Sequence, residues 1–84
     1  QQFCKRLDPI IKYDQKNASE LLLTLEAFLD NNQNFVKASQ DLYVHVNTVK
    51  YRIKKIEEVL DYNPFENNKE SFNMHIAVKA YKVL

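Results

Sequence analysis

The sequence predicts an all-α fold, a small helical bundle that forms a single domain over residues 1–84. Apolar residues recur at helical spacing along almost the whole chain, and no segment shows the alternation that is typical of a β-strand. Hydrophobic residues make up 45% of the chain and charged residues 27%, which indicates a globular domain rather than a disordered one. Short polar segments rich in asparagine and aspartate divide the helical pattern into pieces.

The first two predicted helices are short and lie on either side of a proline. One begins at Phe3 and ends at about Leu7. Pro9 either stops that helix or lies in the first turn of the next, because proline lacks the N–H that a helix interior requires. The second helix would cover Ile10, Ile11 and Tyr13.

The third predicted helix ends at about Asp30 and has one broad apolar face. Either Asn17 or Ser19 could cap its N-terminal amides, because both side chains can accept hydrogen bonds there. Asn31-Asn32 would end it, because asparagine adopts the left-handed conformation of a C-terminal cap more readily than most residues. The apolar face consists of Leu21, Leu22, Leu25, Phe28 and Leu29.

The next two helices are predicted to form a helix-turn-helix over about residues 34–60. The first covers Phe35 to Leu42 and the second covers Asn47 to Leu60, with a tight break between them. In this arrangement the second helix is the one that enters the major groove of DNA. Its apolar positions repeat at steps of four, three and four, which predicts one buried stripe. The stripe consists of Val49, Ile53, Ile56 and Leu60.

The last predicted helix covers about Lys69 to Val83 and follows a polar link at residues 61–68. One face of this helix carries apolar residues at helical spacing, which predicts that the face is buried against the bundle or against a second subunit. The residues of that face are Phe72, Ile76, Ala80 and Val83.

Composition excludes most enzyme classes. The chain contains no glycine, so it lacks the phosphate-binding loops, dinucleotide-binding turns and nucleophile elbows that depend on glycine backbone. Glu57 and Glu58 are adjacent on a helix, so their side chains diverge by about 100° and cannot act as a facing pair. The two histidines and the one cysteine have no neighbours at metal-ligand spacing. We therefore predict no enzymatic activity, no metal and no cofactor.

Cysteine content and the absence of long apolar runs bear on location. Cys4 cannot form an internal disulfide, and no apolar run approaches the roughly 18 residues of a membrane span. We expect a cytoplasmic protein without a membrane partner. Position 1 is not methionine, which suggests a piece of a longer protein whose missing N-terminal part would bind any effector ligand.

Positive charge is concentrated in the predicted helix-turn-helix. The whole chain has a formal net charge of +1, whereas residues 33–56 carry five basic side chains and one acidic side chain. A local excess of this kind is typical of a nucleic-acid surface, although a solvated helix face balanced by Glu57 and Glu58 would show the same charges. The predicted DNA-contacting residues are Lys37, His45, Val46, Asn47, Thr48, Lys50, Tyr51, Lys54 and Lys55.

Several residues of this region also have a structural interpretation. Thr48 could cap the second helix instead of contacting DNA, and Tyr51 could cover a neighbouring helix. Arg52 lies beside the buried stripe, where an ion pair with Asp41 or with a nearby glutamate is expected. Tyr43 occupies a turn position at which many helix-turn-helix units have glycine. The turn must therefore tolerate a left-handed tyrosine, at a cost of about 1–2 kcal/mol, or take another shape.

Residues 42–56, LYVHVNTVKYRIKKI, are similar to the pattern L-x-V-H-R-N-T-[LV]-x-Y-R-[LI]-x-x-I of PucR-type transcriptional regulators, which include purine-catabolism and sugar-diacid regulators. Residues 7–14, LDPIIKYD, resemble that family's L-x-P-[LI]-[LI]-x-Y-D segment, and residues 21–25 resemble its L-L-x-T-L. The same two helices also resemble the Fis-type DNA-binding fold. The resemblance implies a DNA-binding output domain. It also implies that Val46, where the family often has arginine, removes one DNA contact.

The predicted partners are double-stranded DNA and a second copy of the chain. One recognition helix covers few base pairs, so we expect a homodimer on two half-sites about 34–36 Å apart. Either the segment around Phe3 or the last helix could form the dimer, although packing within the subunit explains the last helix equally well. The alternative function is a helical protein-interaction module whose basic helix docks an acidic partner.

Overall fold

The structure, a computed structural model, describes residues 5–83, and within them it contains five α-helices and no strand. The predicted all-α fold is therefore confirmed, whereas the first two residues of the helix expected at Phe3 to Leu7, Phe3 and Cys4, lie outside the described residues. None of the helices in residues 5–83 has the length and apolarity that a membrane crossing requires. The helices are α1 (Asp8–Asn17), α2 (Leu21–Asp30), α3 (Phe35–Leu42), α4 (Val46–Leu60) and α5 (Asn68–Val83).

The second helix is the centre of the domain. It packs against α1, α3, α4 and α5, whereas α5 packs mainly on α2. Leu25 is fully buried. The Phe28 ring packs at a tilt against Phe35 of α3 and edge to face against Phe65 of the α4–α5 link, with ring centroids 4.8 and 5.2 Å apart. Such aromatic packing buries a large apolar area. The other large, fully buried apolar side chains are Leu7, Ile10, Val49, Ile56, Pro64, Met74 and Val78.

The start of α2 is capped by a residue that the sequence did not indicate. Both oxygens of the Asp14 carboxylate accept hydrogen bonds, from the backbone N–H of Leu21 at 2.8 Å and of Leu22 at 2.9 Å. The predicted caps, Asn17 and Ser19, are therefore wrong. Ser19 instead donates its hydroxyl to Asp14, and Asn17 donates to a carbonyl of α1. An aspartate from the preceding helix satisfies the free amides and adds negative charge at the positive end of the helix dipole.

Asparagine ends α2 as predicted. The left-handed backbone begins at Asn32, one residue after the C-cap residue Asn31. Asn31 has φ −103°, whereas Asn32 and Gln33 have φ 55° and 63° and turn the chain. The side chain of Asn34 then accepts the backbone N–H of Lys37 at 2.9 Å and caps α3. Two consecutive left-handed residues let the short connection reverse direction without glycine.

The predicted apolar face of α5 is not buried against the bundle. Phe72 is 64% exposed and Val83 is 84% exposed, Ile76 is also exposed, and Ala80 is only half-buried. The residues that pack inward are Ser71, Met74, Ala77 and Val78.

Close approach and ion pairing explain this rotation of α5. Small side chains on the inward face allow α5 to lie close to α2. Beside that face, Lys79 contacts Glu26 at 2.9 Å and Asp30 at 3.0 Å, and Lys82 contacts Glu26 at 3.1 Å. His75 also contacts Asp30, at 2.6 Å. These polar contacts turn the larger apolar residues of α5 outward.

Candidate nucleic-acid interface

The turn between α3 and α4 consists of residues 43–45 and begins with strained backbone. Tyr43 has φ 57° and ψ 42°, and its backbone N–H bonds to carbonyl oxygens in the last turn of α3. The next residue, Val44, donates its N–H to the carbonyl of Ser39 at 3.1 Å. The turn therefore has the usual left-handed geometry with a tyrosine in place of glycine. The Tyr43 side chain is 94% exposed, so burial does not offset that strain.

The N-cap of α4 is His45. Its backbone is extended, and its Nδ1 atom accepts the backbone N–H of Asn47 at 3.0 Å. The helix begins at Val46, one residue before the predicted start at Asn47. Thr48 is already the third residue of the helix, so its interpretation as the cap is wrong. In α4 it is His45, the residue before the helix, that supplies the acceptor for the first free amides.

The two helices of the motif are held together by small and apolar residues. Ala38 and Ser39 of α3 are buried, as are Val49 and Ile53 of α4. The ammonium of Lys50 lies over the Phe35 ring, 5.8 Å from its centroid, so this cation is placed near the first turn of α3. Phe35 and Lys50 are fifteen residues apart in the sequence, and no local pattern indicates that contact.

The outward face of α4 brings four of the predicted residues together. Asn47, Lys50, Tyr51 and Lys54 are exposed, and at 100° per residue they fall within an arc of about 100°. Val46 and Thr48 lie at the edges of this arc and are half-buried. We call the four exposed residues the outer α4 face. Lys37 is exposed in the first turn of α3.

Lys55 differs from the other predicted cations because its charge is already engaged. It is half-buried, donates to Glu58 at 3.1 Å, and lies 5.9 Å from the ring centroid of Tyr51. The hydrogen bond and the charge of Glu58 raise the pKa of Lys55. In residues 5–83, Lys37, Lys50 and Lys54 make no ion pair, so these three supply the unmatched positive charge of the motif.

Arg52 points away from this face and toward α2. Its guanidinium donates to the Thr24 hydroxyl at 3.2 Å and lies 3.8 Å from a Glu20 carboxylate oxygen. The expected structural ion pair is thus formed with Glu20. The other expected partner, Asp41, instead accepts the side-chain amide of Asn31 at 2.8 Å. Arg52 therefore anchors α4 to α2 and sets the orientation of the outer α4 face.

No cluster of metal-ligating side chains accompanies this surface in residues 5–83. Within the part of the chain that the structure describes, no group of three His, Cys, Asp or Glu side chains could hold a metal ion. The chemistry available on the outer α4 face and at His45 is hydrogen bonding by amide, hydroxyl and imidazole groups together with the charge of lysine. These groups suit phosphate oxygens and base edges.

Two helices joined by a three-residue turn, with an exposed basic face on the second, define a helix-turn-helix domain. The sequence matches the PucR C-terminal helix-turn-helix domain over residues 21–80, and the chain belongs to that family. The family places it among the DNA-binding domains of transcriptional regulators.

Relatives with this domain occur in Bacillus subtilis (strain 168). The chain is 32% identical over 73 residues to the DNA-binding transcriptional activator AdeR, a match that covers 87% of this chain and 17% of AdeR. It is 46% identical over 46 residues to the proline-responsive transcriptional activator PutR, which covers 55% of this chain and 11% of PutR. The chain therefore spans less than a fifth of the length of either relative. The comparison with solved structures gave no significant match.

Proposed function

We propose that this domain binds double-stranded DNA as the output domain of a transcriptional regulator, with α4 in the major groove. The observation that carries the proposal is the outer α4 face, an exposed set of polar and basic side chains on the second helix of a helix-turn-helix. Membership of the PucR family and the similarity to two proteins named as transcriptional activators support it.

The proposed phosphate contacts are made by lysines on both helices of the motif. Lys50 and Lys54 lie one helical turn apart on α4. Lys37 lies in the first turn of α3, two residues after Phe35, whose ring contacts Lys50. Lysines so spaced can follow the DNA backbone along one edge of the groove. Lys55 would contribute a phosphate contact only after its hydrogen bond to Glu58 is exchanged.

The proposed base contacts are made by His45 and by residues in the first turns of α4. Nδ1 of His45 accepts a hydrogen bond, so in the neutral imidazole the proton is on Nε2 and that atom is a donor. A donor at this position suits a phosphate oxygen or the acceptors of guanine. Asn47, Thr48 and Tyr51 add amide and hydroxyl groups, and Val46 can meet a thymine methyl.

Three further parts of the proposal concern the full regulator: its dimer, its effector ligand and its location. We propose a homodimer on two half-sites about 34–36 Å apart, because one recognition helix reads few base pairs. Since the chain spans 17% of AdeR and 11% of PutR, we assign any effector ligand to a part of the regulator outside these 84 residues. We also assign the domain to the cytoplasm, where bacterial DNA is accessible.

A salt titration of duplex binding tests the proposal. Three to five phosphate contacts predict a slope of roughly −3 to −4.5 in a plot of log affinity against log salt concentration. The double variant Lys50→Ala/Lys54→Ala should reduce the steepness by about 2 and weaken binding to every duplex. Lys16→Ala, which removes an exposed lysine of α1, is the matched control and should keep the wild-type slope. Absence of duplex binding at low salt would contradict the proposed function.

A further inference from the structure

An exposed acidic residue lies in line with the outer α4 face. Glu58 is one helical turn beyond Lys54, and at 100° per residue it falls within the arc that the four residues of the face define. Its side chain is 57% exposed. A carboxylate therefore extends the surface that we propose to contact DNA, and its charge is opposite to that of Lys50 and Lys54.

Glu58 also holds the ammonium of Lys55. Nζ of Lys55 donates to Oε1 of Glu58 at 3.1 Å and lies 5.9 Å from the ring centroid of Tyr51. These two contacts keep the ammonium close to α4, and the Lys55 side chain is half-buried. A phosphate that approaches Lys55 therefore meets a cation whose charge is already matched by a neighbouring carboxylate.

The stability of α4 does not explain an acidic residue at this position. Negative charge near the C-terminus of a helix interacts unfavourably with the helix dipole. Glu57 and Glu58 both lie in the last turn of α4, which contains no basic residue. In addition, Lys55 precedes Glu58, which is the less favourable order for an ion pair on a helix. The position of Glu58 is therefore better explained by the surface that it shares with Lys54 and Lys55.

The place of Glu58 along α4 puts it beside phosphates rather than bases. Eleven residue steps separate Asn47 from Glu58, or about 16 Å along the helix axis, whereas a recognition helix contacts base edges with its N-terminal residues. Side chains four residues apart on a helix lie about 6 Å from each other. This distance is shorter than the Debye length of about 8 Å at physiological salt, so the Glu58 carboxylate repels a phosphate bound by Lys54.

We propose that Glu58 limits the affinity of the domain for the DNA backbone, by repelling phosphates next to Lys54 and by holding Lys55 out of contact. This role rests on the proposed DNA-binding function. Non-specific affinity for DNA comes almost entirely from phosphate contacts. An acidic residue that opposes these contacts weakens binding to every sequence. Stable occupancy of a site then depends on the base contacts assigned to the first turns of α4.

Duplex titrations of Glu58→Gln test this role. The variant keeps the size of the side chain and removes its charge, so it should bind a duplex of arbitrary sequence more tightly than the wild type. One added phosphate contact should steepen the salt slope by about 0.9, and the gain in affinity should shrink about 3.5-fold between 50 and 200 mM salt. Glu66→Gln is the matched control, because Glu66 is an exposed glutamate of the α4–α5 link. It should keep the wild-type slope.

Two double variants test whether Lys55 is the cation that Glu58 holds. Lys55→Ala/Glu58→Gln should return to the wild-type slope, because the released cation is absent. Lys69→Ala/Glu58→Gln has the same net charge and retains Lys55, so it should keep the steeper slope. Lys69 is an exposed residue of α5. Thermal unfolding followed by circular dichroism identifies any variant that fails to fold.

Three results would overturn the role of Glu58. One is the same slope in Glu58→Gln and Glu66→Gln. Another is the same slope in the two double variants, which would indicate a general charge effect. The third is weaker binding by Glu58→Gln, as expected if the carboxylate accepts a hydrogen bond from a cytosine amino group. Each of these results is obtained with a domain that binds duplex DNA, so the DNA-binding function is left intact. Absence of duplex binding by the wild type and by every variant contradicts that function itself, and with it the role of Glu58.

Discussion

The imidazole of His45 and the backbone of Asn47 are joined by a hydrogen bond of 3.0 Å, in which Nδ1 accepts and the N–H donates. This single contact both starts the recognition helix and fixes which ring nitrogen carries the proton. His45 caps the helix, and under the proposed function it would also offer a donor to DNA, which would link the stability of α4 to its binding chemistry. The two roles can be separated by substitution.

Substitution of His45 should distinguish capping from DNA contact. His45→Ala removes the cap and should lower the free energy of unfolding by about 0.5–1 kcal/mol. His45→Asn supplies another N-cap side chain and should keep the stability of the wild type. Both variants lose the imidazole donor, so both should bind duplex DNA more weakly. Urea unfolding and duplex titration provide the two measurements. Wild-type affinity in the folded His45→Asn variant would remove His45 from the DNA contacts.

An arginine at position 46 should strengthen DNA binding. The family pattern often has arginine where this chain has Val46, and the position lies at the edge of the outer α4 face. Val46→Arg adds one cation beside Asn47 and should steepen the salt slope by about 0.9 if the new contact is to phosphate. Leu23→Arg is a charge-matched control at an exposed position of α2, outside the proposed DNA contacts. An equal gain in both variants would indicate a general charge effect rather than a contact specific to position 46.

Glycine at position 43 should stabilise the domain. Tyr43 has φ 57° and is 94% exposed, so Tyr43→Gly relieves left-handed strain without opening the core. We expect the free energy of unfolding to rise by about 0.5–1 kcal/mol. Gln40→Gly, three residues earlier inside α3, should lower it by a similar amount because glycine is unfavourable in a helix interior. Unfolding curves in urea measure both changes. Destabilisation by Tyr43→Gly would show that the tyrosine ring stabilises the turn.

Acid should weaken the attachment of α5 to α2. Partial burial alone would raise the pKa of Glu26, but hydrogen bonds and charges from Lys79 and Lys82 outweigh it and lower that pKa. Burial would also raise the pKa of Asp30. Hydrogen bonds and charges from His75 and Lys79 outweigh that effect, so the pKa of Asp30 is lowered as well. A lowered carboxyl pKa gives stability that is present in full above the pKa of the unfolded chain and is lost as pH falls through the folded value.

Unfolding measurements between pH 7 and pH 3 test this dependence. The wild type should lose stability below about pH 4.5, the ordinary pKa of glutamate. Glu26→Gln should remove part of that loss. Glu58→Gln, which breaks the more exposed contact with Lys55, should change it little. An identical pH profile for the wild type and Glu26→Gln would contradict a stabilising role for the Glu26 contacts.

Local pattern was sufficient for the helix-turn-helix and insufficient for the packing of α5. Phe35 to Leu42 was predicted to the residue, because apolar residues at helical spacing and the break after them lie within a few positions. In α5 the same periodicity selects Phe72 and Ile76, but it cannot show which side faces α2. The inward face contains Ser71 and Ala77. These residues allow close packing because they are small, and a search for hydrophobic residues does not select them.

The site shows the same division between local and distant signals. Exposure of Lys50 and Lys54 follows from their positions between the apolar residues of α4. The Asp14 cap and the contact of Phe35 with Lys50 join residues that are seven to fifteen positions apart, and their geometry depends on how the helices cross. Sequence patterns indicate faces of helices, whereas the partners of those faces are decided by the assembled core.

The dependence of α5 on one neighbour has a consequence for the dynamics of the domain. Because α5 is held mainly by α2, it can detach in a partial opening while α1 to α4 keep their shared core. Its amide hydrogens should therefore exchange with solvent faster than those in the middle of α2. The helix that packs on a single neighbour should therefore be the first part of the domain to lose its order when stability is lowered.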